Sequence, residues 1–210
     1  EQAVRKAYQK LVEENPDERI HELYASYLKE QDNTEALKEL RQKMLENNPA
    51  NLDALLDLAN IAVEEGERET AENYFQEALR TNPKDPDVYR EVGLVKLENN
   101  QIEEARRLLE KAVQLDGTDV DALDGLALLQ QHQQNYERSE ELLRKALQMK
   151  PVDAYLLKRL GSLYMEMGER QKAKDIYQQV LVANQLDFDT WLNLASIYLE
   201  DGDQKQLDLL

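Results

Sequence analysis

The feature that most constrains this chain is an internal repeat of 34 residues. Pro49-Ala50-Asn51, Pro83-Lys84-Asp85 and Pro151-Val152-Asp153 lie on one grid. Gly117-Thr118-Asp119 and Gln185-Leu186-Asp187 fill the two points that lack proline and keep the polar residue two places on. A chain that is self-similar at this length folds as stacked copies of one small unit, because a single copy cannot bury its own apolar face. Composition says what the unit is made of. With only 7 glycines and 5 prolines in 210 residues, and abundant Ala, Leu, Glu, Gln and Lys, helix is favoured throughout. The expected fold class is all-α.

Between grid points one apolar pattern recurs. A large residue (Leu55, Tyr89, Leu123, Leu157, Trp191) is followed three places later by Leu58, Val92, Leu126, Leu160 or Leu194. A small residue comes directly after: Ala59, Gly93, Ala127, Gly161 or Ala195. Twelve further on stand Ala71, Ala105, Ser139 and Ala173, then the bulky Phe75, Leu109, Leu143 and Tyr177, then Ala78, Ala112, Ala146 and the exception Val180. Such spacings put the apolar residues on one stripe of each of two helices, and the small ones let those helices approach. Gly66, Asn100, Gln134, Gly168 and Gly202 fall where the first helix must end, a position that suits a left-handed residue.

Taken in order, these positions resemble the tetratricopeptide repeat, and the resemblance covers nearly the whole chain. It implies a right-handed superhelical solenoid of antiparallel helix pairs. Four well-matched copies are expected at 50–83, 84–117, 118–151 and 152–185. Residues 17–49 form a degenerate copy, because Pro16 to Pro49 is one residue short and Ala36 sits one place out of register. Residues 1–16 read as the second helix of a preceding copy, with Tyr8 and Leu11 as its stripe, and 186–210 as a partial copy whose second helix starts near Lys205 and stops at Leu210. All are expected to belong to one solenoid of a longer protein.

Charge and residue chemistry exclude several functions. The 43 acidic against 26 basic residues give a net charge of −17, which repels phosphate backbones and anionic lipid, so neither nucleic acid nor direct membrane insertion is expected. No apolar run approaches the roughly 18 residues of a membrane-spanning helix. Cysteine is absent, so disulfides and thiolate chemistry are excluded. Asn51, Asp85, Asp119, Asp153 and Asp187 precede successive first helices, where they cap free amides rather than hold a metal. His21 and His132 lack ligand-spaced neighbours, and the polar run Gln130 to Asn135 reads as a helix end and turn. No nucleophile, phosphate loop or acid pair in a dry site is visible, so the chain is not expected to be an enzyme or to need a cofactor. Nothing in the residues indicates a compartment.

The resemblance implies that the first helices line a concave groove. Carried over by position, its wall is Leu56, Asn60 and Val63; Arg90, Leu94 and Leu97; Asp124, Leu128 and Gln131; Lys158, Ser162 and Met165; then Leu192, Ser196 and Leu199. An exposed apolar track marks a binding surface, and Arg90, Lys158 and Arg159 are basic points suited to carboxylates of a partner peptide. The two-carboxylate clamp of some tetratricopeptide co-chaperones is absent from the central copies, where only Asn60 matches its pattern. The expected function is therefore a scaffold that binds a segment of a partner protein in its groove. The alternative is an architectural spacer in a larger machine, such as a bacterial envelope or polysaccharide-export system. Self-association through an open solenoid end is also expected, since few residues remain to cover Trp191, Leu194 and Tyr198.

Overall fold

The computed structural model describes residues 2–14 and 17–208, which are all-α: no strand occurs among them. Two compact units divide at Val92 and Gly93, inside one helix. Unit 1 holds α1 (Gln2–Glu14), α2 (Glu18–Glu30), α3 (Thr34–Asn47), α4 (Leu52–Glu64), α5 (Arg68–Thr81) and the first half of α6 (Pro86–Glu98). Unit 2 holds the rest of α6, α7 (Ile102–Leu115), α8 (Val120–His132), α9 (Tyr136–Met149), α10 (Ala154–Glu166), α11 (Arg170–Ala183), α12 (Phe188–Asp201) and the short α13 (Gln204–Leu207). From α2 onward, every second helix begins 34 residues after its counterpart.

The spacing reaches back to the degenerate copy, since α2 and α3 begin 34 residues before α4 and α5. The displaced proline, Pro16, lies outside the described residues, as do Asn15 and the last two residues, including Leu210. Ala36 and Leu37 are both buried. In α1 the ring of Tyr8 stacks on Tyr24 and Tyr27 of α2, with centroids 5.5 and 5.3 Å away. Val12 packs there as well, whereas Leu11 is exposed, so the stripe runs through Tyr8 and Val12 and not through Leu11. That is the i, i+4 spacing of one helix face.

Caps and turns explain the helix ends. The side chains of Asn51, Asp153 and Asp187 accept from the amides of Ala54, Leu156 and Thr190, and Asp119 accepts from both Asp121 and Ala122. Each satisfies donors that a first turn leaves free. The five expected turn residues all adopt positive φ: Gly66, Gly168 and Gly202, together with Asn100 at 58° and Gln134 at 60°. Asp32 does the same in the first copy.

Inside each unit the small positions set how closely helices meet. In unit 1, Ala59, Ala71, Phe75 and Ala78 are buried between α4 and α5. In unit 2 the side chains of Ala105, Leu109 and Ala112 are fully buried, as are those of Leu143 and Ala146. Ser139 replaces alanine at no polar cost, because its hydroxyl donates to the Ala127 carbonyl at 2.8 Å.

A buried hydroxyl of unit 2, that of Tyr164, should make its stability depend on pH. Tyr164 donates to Glu140 at 2.7 Å and accepts from Arg144 at 2.6 Å. Burial, then the bond to Glu140, pushes its phenol up to about 12 from an ordinary 10.0. The folded state therefore binds the phenolic proton more tightly, a contribution complete below about pH 10 and lost as pH rises towards 12. Tyr164→Phe should flatten the alkaline limb of the stability curve between those values, measured by urea unfolding across pH. An unchanged limb would mean that other groups carry it.

Candidate partner-binding groove

The groove positions divide between the units. In unit 1, Leu56 is buried and so presents no surface to a partner, while Asn60 and Val63 are half-buried. Asn60 lines a polar cavity of about 280 Å³ with Lys29, Asp32, Asp57 and Glu64 among its walls. Arg90 is folded onto Asp87 and Glu91 of its own helix.

Unit 2 brings four of the expected residues together. Leu94 and Leu97 of α6 and Asp124 and Leu128 of α8 line an open cavity of about 550 Å³, along with Glu98, Ile102, Tyr155 and His132. Close approach depends on Gly125, where an added Cβ would lie 2.9 Å from Leu109 Cδ1 and 3.1 Å from Leu94 Cδ2. Gln131 is not among the lining residues; its amide donates to Glu166 at 2.7 Å and so ties α8 to α10. Ser162 is exposed and Met165 half-buried, both outside this cavity. On α12, Leu192, Ser196 and Leu199 are exposed.

Each of the basic points has a carboxylate of the protein beside it. Arg159 Nε donates to Asp124 Oδ1 at 2.9 Å, and the Tyr155 hydroxyl donates to Asp124 Oδ2 at 3.0 Å. Lys158 pairs with Asp187 at 3.0 Å, and this ammonium is the chief reason the Asp187 carboxyl is held below its ordinary range. Burial first, and the Asp124 carboxylate second, push the Tyr155 phenol up. Arg90, Lys158 and Arg159 thus each pair with carboxylates of the protein itself, while Arg159 Nη2 is buried with no hydrogen-bond partner among the described residues.

Tyr155, Ile102 and Glu98 were absent from the expected wall. Tyr155 left a signal, for it stands where the other copies carry Asp53, Asp87, Asp121 and Asp189. Ile102 belongs to a second helix, so a rule that reads first helices alone passes over it.

Helix pairs on a 34-residue period, with small residues at the crossings and left-handed turns between, define a tetratricopeptide-repeat protein, a non-catalytic scaffold type. The chain belongs to the tetratricopeptide family described as the cilia and flagella-associated protein 70 C-terminal domain, which matches residues 3–207. No curated protein sequence matches it. Among solved structures, yeast Tom70 superposes with a TM-score of 0.81 at 17% identity, over 96% of this chain and 43% of that one. PilF of Pseudomonas aeruginosa gives 0.75 at 20% identity, over 99% and 88%. YrrB, described as a tetratricopeptide protein with an unusual peptide-binding site, gives 0.60 at 20% identity, over 89% and 96%. At such identities the likeness concerns the fold.

Proposed function

We propose that this chain is a protein-interaction scaffold and that the cavity of unit 2 takes up a segment of a partner protein. The observation that carries the reading is the set of half-buried leucines, Leu94, Leu97 and Leu128, on the wall of an open cavity of about 550 Å³. Pockets of about 300–1,000 Å³ with a mainly apolar lining suit ligand side chains, and a folded chain gains nothing for itself by leaving such a wall open. The family description directs the search for the partner to cilia and flagella. Affinity capture with the intact chain should retain a specific partner, and Leu128→Glu should weaken its retention at least about tenfold by placing a charge against the apolar contact. Equal retention by parent and variant, with both folded by circular dichroism, would exclude this surface.

A second association is supported by α12, where Phe188, Leu192 and Leu199 are 70%, 54% and 62% exposed. Two copies meeting through this face would cover it. Sedimentation over a concentration series should show the parent chain dimerising and Leu192→Glu with Leu199→Glu remaining monomeric; a monomeric parent would dismiss the idea.

A further inference from the structure

The cavity in unit 2 also states what kind of segment it accepts. Resting on the reading above, we propose that its occupant is a stretch of a partner protein in which bulky aliphatic or aromatic side chains stand beside lysine or arginine, and not an acidic peptide. The apolar half follows from the lining: Leu94, Leu97, Ile102 and Leu128 offer contact and no hydrogen bond. The basic half follows from which charges remain unspent. Arg159 turns its Nε to Asp124 and is not among the residues that line the cavity, so it offers an incoming carboxylate no place on that wall. The Tyr155 hydroxyl spends its proton on the same Asp124, leaving its oxygen only lone pairs to offer outward. Glu98 is exposed at the cavity and has no ion-pair partner among the described residues.

A carboxylate entering here would face Glu98, with no lysine or arginine among the lining residues to receive it. A guanidinium or ammonium would find one carboxylate and a phenolic oxygen. The whole-chain charge of −17 acts in the same sense, drawing cationic segments in and slowing anionic ones. The apolar wall supplies affinity and the acidic rim supplies the choice of sign.

Selection of a displayed random library of peptides of about twelve residues against the intact chain tests this. Peptides with Lys or Arg next to Leu, Met or Phe should be enriched. A selected peptide, labelled and titrated by fluorescence anisotropy, should bind about tenfold more weakly to Glu98→Lys and be lost with Leu94→Ser. Selection repeated on Glu98→Lys should yield acidic peptides instead. Because Glu98 is exposed, the variant should keep the parent's helicity and melting point, which confirms that it is folded. Enrichment of acidic peptides by the parent, with binding still lost in Leu94→Ser, would overturn the charge assignment and leave the groove standing. Failure to enrich any peptide, or binding indifferent to Leu94→Ser, would overturn both readings.

Discussion

Glu22→Ala should destabilise unit 1 by about 3 kcal/mol, while Arg41→Leu should change it by less than about 1 kcal/mol. Arg41 sits in α3 at the position filled by Phe75, Leu109, Leu143 and Tyr177 in later copies, and only 2% of it is exposed. Its guanidinium reaches Glu22 of α2 at 2.5 and 2.8 Å and Asp57 of α4 at 2.8 Å. Burial opposes the charge, yet the Glu22 and Asp57 contacts outweigh burial and raise the guanidinium pKa.

Deleting Glu22 strips the cation of a bidentate partner in a place water barely reaches, the costly way to break a buried pair. Arg41→Leu removes the cation itself and restores the apolar residue that the repeat prefers. Asp57 then keeps Lys29 at 2.7 Å, and Glu22 is exposed enough to be hydrated. Urea unfolding followed by circular dichroism measures both variants, with amide exchange in α2 to α4 placing the loss in unit 1. Equal losses in the two would show that side-chain volume, and not the ionic network, decides stability there.

Gly161→Ala should cost about 1–3 kcal/mol in unit 2, although alanine is the better helix former by about 1 kcal/mol. A Cβ at Gly161 would lie 2.5 Å from Cε1 and 2.8 Å from Cζ of Tyr177, and that ring is itself 2% exposed. A rigid buried ring cannot yield as a flexible chain end can, so overpacking outweighs propensity. Other copies resolve the same crossing with different pairs, Ala59 with Phe75 and Ala127 with Leu143. Tyr177→Leu in the Gly161→Ala background should therefore recover part of the loss, giving a coupling of at least about 1 kcal/mol in a double-mutant cycle. A gain in melting temperature from Gly161→Ala alone would refute the packing argument.

What the sequence determined by itself is the repeat unit and its punctuation. The period, the buried stripes, the caps at Asn51, Asp119, Asp153 and Asp187 and the left-handed turns at Asn100 and Gln134 all depend on spacings within one helix pair, where geometry leaves little choice. Leu94, Leu97, Asp124 and Leu128 were expected on a groove wall only through the resemblance to the repeat family, and they line one cavity. Only the tertiary structure decided the charges. Arg159 meets Asp124 across 35 residues and Arg41 meets Glu22 across 19, and a local pattern does not say which long side chain reaches which carboxylate. Burial was decided there too: Leu56 and Leu192 hold equivalent positions, yet one is 9% and the other 54% exposed. Periodicity states which way a side chain points along its helix, while the packed neighbours alone settle whether anything stands in front of it.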